Sequence, residues 1–446
     1  MNRRSSAIVF GAAVGGCLIL LVCTAVLGVS FFLVAARANP LSSLVPAAGN
    51  RIVTVGNDGN IYVMDAAGKS RAQLTKDGDA GTAKRYDFPT WAPDGRHIAY
   101  VGITYSNANP TSAALYSSDP GGGPSRTLFQ SDQSFPFYLY WSPDSRNVTF
   151  LASKNGSDLT LNVADTAGDQ DSVKQLESGS PLYWAWSPDA KHLFLHIGGT
   201  RDESDSAQIA ILPFGQSAHS LSVSPGSFQA PSISPDGQHL LFSQEGDNSK
   251  QTVTVSNADG AEARPLFDYK GRISLGWSPD GNRIAYIVTD SSMNLPTFGA
   301  VHVVGADGKN DQSIADHVLA FIWSPNGHRL AYLTVPANGN STSFYRFKGL
   351  AQTGGNDVKL EWQVKDFDTG QSHTLGVFAP TDSFISTLPF FDQYTRSTTF
   401  WSPDSAHFVY TNADTTDAGS IWVADAAGNT APKKIGEGMI AFWSLR

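Results

Sequence analysis

An aromatic or aliphatic residue followed by Ser-Pro-Asp-Gly, or a near copy of it, recurs seven times along this chain. It reads WAPDG from Trp91, WSPDS from Trp141, WSPDA from Trp186, ISPDG from Ile233, WSPDG from Trp277, WSPNG from Trp323 and WSPDS from Trp401. Successive anchors are 50, 45, 47, 44, 46 and 78 residues apart. A period in the forties, with one turn signal per period, restricts the fold to a radially repeated β-architecture. Proline pre-sets φ at the first corner of each turn, and Asp and Gly suit the positions that follow. The run after each turn alternates with period two, as in Ile98-Ala99-Tyr100-Val101 and Ile284-Ala285-Tyr286-Ile287. A further strand follows in each unit, typified by Ile61-Tyr62-Val63-Met64-Asp65 and Ile421-Trp422-Val423-Ala424-Asp425. A small turn such as Ala66-Ala67-Gly68 then leads to a short last strand such as Gln73-Leu74-Thr75. Each unit therefore predicts a four-stranded antiparallel blade.

The ends of the repeat region complement each other. Residues 51–75 supply three strands of a blade but no anchor, whereas Met439-Ile440-Ala441-Phe442-Trp443-Ser444 is an anchor strand with no blade after it. Joining 51–75 with 437–446 predicts a closed all-β propeller of eight blades and removes the exposed sheet edges of an open array. Seven is the alternative if the irregular stretch 323–400 disrupts a blade. The WSPDG-type repeats resemble those of the TolB-like β-propeller family over residues 51–446. That resemblance implies the fold. Such propellers include transport-associated binding proteins and the propeller halves of serine peptidases, so it does not choose an activity.

Residues 7–36 are apolar throughout except for weakly polar positions such as Thr24 and Ser30, and Arg3 and Arg4 precede them. Thirty helical residues reach about 45 Å, more than the ~30 Å hydrocarbon core requires. The expectation is a transmembrane signal anchor over 7–36, with residues 1–6 cytoplasmic, a linker over 37–50 and the propeller on the extracytoplasmic side of the cell membrane. Two alternatives are secretion after cleavage near Ala36-Arg37-Ala38 and lipidation at Cys17. Both cysteines, Cys17 and Cys23, lie in this segment, so residues 51–446 hold no thiol. The three arginines of residues 1–50, with no acidic residue beside them, leave a net charge of −12 on the rest of a chain whose total is −9. A body so acidic is repelled by phosphate backbones, and no nucleic-acid partner is expected.

Strand order assigns the short Ser-Pro-Asp turns to one face and the longer segments 102–113, 198–207, 288–299, 337–357 and 378–398 to the other. Variable loops on a rigid scaffold are where binding usually resides. The first face is expected to lie towards the membrane, because the chain enters there from the linker.

His97, His192, His239 and His407 each sit six positions after an anchor, a slot filled by Asn147, Arg283 and Arg329 elsewhere. Equivalent slots around a ring stand too far apart to share one ion, so no metal or other cofactor is expected. The Asp of each turn reads as a turn residue, and the repeated Trp residues read as core. Gly215-Gln216-Ser217-Ala218-His219 and Gly370-Gln371-Ser372-His373-Thr374 fail as nucleophile elbows, and no hydrolase domain follows before Arg446. No catalytic residue is assigned.

The candidate binding residues are those that break the repeat: Phe390, Phe391, Asp392, Gln393, Tyr394 and Arg396 before Trp401, with Phe137, Tyr138, Tyr140, Tyr183 and Trp184 leading into two anchors. Aromatic and Arg residues are favoured interface anchors. Two roles are open to them, plugging the centre of the ring or contacting a ligand. The expected function is a non-catalytic module for an envelope or extracellular protein partner, in sensing or transport. The alternative is an enzyme or a sugar or peptide binder at the channel mouth.

Overall fold

A computed structural model describes residues 49–79, 83–154, 158–168, 170–246, 250–292, 297–336, 358–415 and 418–446. The expected membrane span 7–36, nearly all of the linker 37–50 and the segment 337–357 lie outside these residues. Among the described residues no helix is long and apolar enough to cross a membrane.

The described residues form seven antiparallel sheets that follow the repeat. The first holds Arg51–Val55, Ile61–Asp65 and Ala72–Gln73 and is completed by the last strand, Ile440–Trp443, which pairs with Arg51–Val55. Its register sets Ile52 opposite Trp443 and Val55 opposite Ile440. The second to fifth sheets have four strands each, and their inner strands are Lys84–Trp91, Ser134–Trp141, Leu182–Trp186 and Ser232–Ile233. The seventh holds His407–Thr415, Ala418–Asp425 and Lys433–Glu437, with Trp401 bridged to Phe408 at its inner edge.

The sixth sheet departs from one sheet per repeat, because its seven strands cover two units. The strand Gln312–Trp323 is the outer strand of one unit and then the inner strand of the next. His317 takes a left-handed φ of 59° in its middle, and the ladder shifts register between Val318 and Ala320. That bulge lets the chain change partners without a loop. A second departure concerns 102–113, expected as a loop. These residues extend the hairpin Ile98–Ser106 and Asn109–Ser118, closed by Asn107 and Ala108 at φ 50° and 62°. Two central residues with positive φ are what a tight hairpin between right-twisted strands demands.

Every Ser-Pro-Asp turn satisfies itself in the same way. In the sixth sheet the Ser278 hydroxyl donates to Asp280 Oδ1 (2.5 Å) and accepts from Arg283 N (2.9 Å), while Asn282 N donates to the same carboxylate oxygen (3.1 Å). Ser142, Ser187, Ser234 and Ser402 repeat this with Asp144, Asp189, Asp236 and Asp404. The residue six after the anchor, His192, His239 or His407 among others, gives its main-chain N–H to the turn serine. The anchor indoles pack on the preceding unit. Trp141 Nε1 donates to Thr90 O (3.0 Å), Trp323 Nε1 to Gly276 O (3.4 Å) and Trp401 Nε1 to Ile322 O (3.1 Å).

Candidate functional site

Residues 379–400 leave the last strand of the sixth sheet and return to Trp401 through two short helices, α1 (Asp382–Thr387) and α2 (Phe391–Tyr394). Thr381 caps α1, its hydroxyl accepting from Phe384 N at 3.3 Å. The pair is too short to stand alone in water, so packing must hold it. Phe384 and Phe391 are buried against Trp362 and Phe321 of the sixth sheet.

Inner strands from successive sheets converge on α2. Gln393 Nε2 donates to Tyr138 Oη (2.7 Å) and Trp184 O (2.9 Å), and Tyr138 Oη donates back to Gln393 O (2.8 Å). Asp392 Oδ2 accepts from Ala230 N (3.0 Å), and Oδ1 accepts from Gln393 N (3.0 Å). Arg396 donates to Ser232 Oγ (3.0 Å) and Leu275 O (3.3 Å). The third to sixth sheets are thus tied to one segment. Tyr138 adopts a left-handed φ of 44° at a bulge in its strand, and its ring meets Tyr394 and Trp184 edge-on, each at 5.0 Å. Strain of this kind persists only where the surroundings over-determine it.

Burial raises the carboxyl of Asp392 above its ordinary range, although the Ala230 N–H and the Arg396 guanidinium act against that rise. Burial also raises the hydroxyls of Tyr138 and Tyr183 far up, so both stay neutral donors. Gln393 Oε1 is buried without a hydrogen-bond partner among the described residues.

Two large cavities flank α2 among the described residues. The larger, about 530 Å³, is lined by Phe137, Tyr183, Phe228 and Phe390 with Asp392 and Gln393 beneath. Its walls come from the starts of the inner strands and from the loops holding Glu203 and Thr297. The other, about 350 Å³, is lined by the ends of the inner strands, by Pro235 and Pro279 of two turns, and by Arg396. The inner strands all run the same way, so the cavities open on opposite faces and α2 separates them.

The eleven sequence candidates divide accordingly. Phe391, Asp392, Gln393, Tyr138 and Trp184 are buried and contact one another and the sheets. Tyr140, Tyr394 and Arg396 are half-buried. Phe137 and Tyr183 are half-buried walls of the larger cavity, and Phe390 stands 46 % exposed at its edge. The sequence reading missed Phe228, Arg272, Glu203 and Thr297. Phe228 and Arg272 both lie five positions before an anchor, Ile233 and Trp277, as Pro181 does before Trp186, so counting back from these three anchors finds part of the cavity wall. His196 was also missed. It is fully buried, meets Phe228 at 5.0 Å and contacts Gly199 O (3.3 Å), and burial lowers its pKa to about 4. A neutral imidazole therefore braces the wall.

Successive four-stranded antiparallel sheets, with inner strands converging on a central segment, define a β-propeller. No protein-family model matches the chain, and no curated protein sequence does. Solved structures do. A prolyl endopeptidase is 13 % identical with a TM-score of 0.52, over 81 % of this chain and 50 % of that one. An oligogalacturonate lyase solved with manganese is 11 % identical with a TM-score of 0.46, over 79 % and 84 %. TolB from Acinetobacter baumannii is 15 % identical with a TM-score of 0.37, over 78 % and 83 %. The chain spans half the length of the prolyl endopeptidase and at 13 % identity shares its fold alone.

Proposed function

We propose that this chain is a membrane-anchored, extracytoplasmic β-propeller, closed into eight blades, that binds an envelope or extracellular protein through the face carrying the larger cavity and performs no chemistry of its own. One observation carries the reading. Residues that break the repeat build an aromatic-walled cavity of about 530 Å³ with the exposed Phe390 at its edge. Concave apolar sites with a few fixed polar groups are the usual form of a binding site. The carboxylates in this one already serve the main chain: Asp392 accepts from Ala230 N and Gln393 N, and Glu203 accepts from Thr200 N. That engagement favours binding over proton transfer.

A second reading, a small sugar or peptide ligand or an enzyme acting on one, draws on the cavity's volume, which falls within the range of small-molecule pockets.

Site-specific photocrosslinking tests the first reading. A benzoylphenylalanine at position 390 of the full-length chain, in intact membranes, should give one discrete protein adduct that Tyr183→Ala and Phe228→Ala each weaken. Adducts unchanged by both substitutions would place the contact elsewhere. Sidedness follows from single cysteines in the Cys17→Ser, Cys23→Ser background. Position 390 should react with an impermeant maleimide in intact cells, and equal labelling of position 237 would count against the orientation.

A further inference from the structure

We propose that the cleft between the fourth and fifth sheets, on the face of the Ser-Pro-Asp turns, receives a tryptophan side chain from a partner polypeptide. The repeat itself identifies the occupant. Trp91, Trp141, Trp186, Trp277, Trp323, Trp401 and Trp443 are each no more than 9 % exposed. Each packs on the unit before it: Trp91 with Val53 and Val63, Trp277 with Leu241 and Val255, Trp443 with Val409 and Ile421. Between the second and third sheets, Trp141 lies flat on His97, with ring centroids 6.3 Å apart and planes 16° from parallel.

Ile233 breaks this series. The residue corresponding to His97 is His192, and where an indole would cover it stands a branched four-carbon side chain. Phe194 takes up part of the room. It occupies the slot held by Ala99, Ala285 and Ala331 in other units, and its ring reaches Phe242 at 6.0 Å. The compensation is incomplete. A cavity of about 260 Å³ remains, lined by His192, Leu193, Phe194, Ile211, Ile233 and Leu240 below and by the two turns above. Ile233 is only half-buried, unlike all seven tryptophans.

The walls suit a flat ring entering from outside. Pro188 and Gly237, one from each turn, approach at the edge: a Cβ built on Gly237 would lie 3.3 Å from Pro188 Cδ. Gly237 has a φ of 73°, so its place in the turn favours glycine, and the absence of a side chain keeps the mouth open. Aliphatic carbon forms the floor, and the exposed imidazole of His192 provides the plane on which an indole stacks elsewhere in the ring. An aromatic side chain brings large apolar area at low cost in conformational freedom, which is why Trp dominates such contacts.

The test uses the full-length chain and N-acetyl-5-fluorotryptophanamide as the probe, followed by ¹⁹F line broadening. Broadening is expected with the wild type, and unlabelled N-acetyltryptophanamide should reverse it at about a tenth of the concentration that N-acetylleucinamide requires. Ile233→Trp rebuilds the anchor and should abolish the broadening. If Phe194 prevents that indole from seating, the pair Ile233→Trp with Phe194→Ala reproduces the arrangement of Trp141, His97 and Ala99 and should abolish it. His192→Ala should weaken it, and Phe390→Ala, on the opposite face, should leave it unchanged. No broadening with the wild type, broadening that persists in both Trp variants, or equal competition by the leucine amide would overturn the proposal. Loss in Phe390→Ala would assign the indole to the larger cavity instead, which also overturns it.

Discussion

The Ser-Pro-Asp turns and the segment around α2 solve the same problem, satisfying polar groups near apolar cores, in opposite ways. A turn closes its hydrogen bonds within six residues, Ser278 with Asp280 and Arg283, and the pattern is repeated around the molecule. The α2 segment closes its own with residues far away in sequence, since Gln393 reaches Tyr138 across 255 positions and Trp184 across 209. The turns are modular in their own hydrogen bonds, with single links from Asp94 N to Ser145 Oγ and from Asn326 N to Ser405 Oγ joining neighbours. The α2 segment has one set of partners, and its polar groups cannot be replaced one at a time.

The largest effect should fall on the shared element. Trp401→Ala removes an indole with no exposed surface, along with its bond to Ile322 O, and should cost about 3–5 kcal/mol in urea denaturation. Trp141→Ala should cost a similar amount, because its indole makes the equivalent bond to Thr90 O. Very unequal losses would break the claim that the units are interchangeable.

Gln393→Ala should cost roughly 2–4 kcal/mol, because it removes the donor to the buried carbonyl of Trp184 and leaves the strained Tyr138 with only its bond to the main-chain carbonyl of residue 393. Adding Tyr138→Phe should cost less than the sum of the two single losses, since both remove one network. Additive losses would mean that the bonds across the centre are not coupled.

These two cases mark where the sequence was legible. The strand order, the pairing of Ile440–Trp443 with Arg51–Val55 and the roles of the turn residues all follow from local patterns, since alternation and turn chemistry act over a few residues. The continuous strand Gln312–Trp323 was not legible, because its bulge at His317 depends on neighbours in two different units. The direction of Asp392 and Gln393 stayed open between plugging the centre and meeting a ligand. The Pro-Phe-Phe-Asp-Gln-Tyr run announces that the repeat is broken, but an isolated polar and aromatic run fits a surface as well as a core. Only Phe390 kept the exposure that a surface reading asks of all six residues. Ile233 was counted as one more anchor, because a single sequence does not tell a tolerated variant from an opened slot.

A smaller effect separates turns that look alike. The last turn position has positive φ whether it holds Gly95 (69°), Ser145 (62°) or Ala190 (59°). Ala190→Gly should stabilise by about 0.5–1 kcal/mol, since glycine takes this conformation without steric cost. Ser145→Gly should give no gain, because it forfeits the bond in which Ser145 Oγ accepts from Asp94 N at 3.0 Å. Equal gains in thermal midpoint would show that this link between neighbouring turns contributes nothing.

The smallest effect concerns the direction in which stability moves with pH. The hydroxyl of Ser234 holds Asp236 below the ordinary carboxyl value of 3.8, so the folded state binds its proton less readily than the unfolded chain. The stability Asp236 confers is therefore present above pH 3.8 and is lost as the pH falls through the depressed folded value. Asp392 has the opposite sign. Burial lifts it above 3.8, so the folded state binds its proton more readily, and its contribution is complete below pH 3.8 and lost as the pH rises through the raised value. Urea midpoints taken from about pH 6 down through pH 3.8 and below should therefore diverge. Relative to Asp236→Asn the wild type loses stability on acidification, and relative to Asp392→Asn it gains. Shifts of the same sign in both comparisons would mean that Asp392 is as well solvated as a turn carboxylate, and that water enters the centre of the ring around α2.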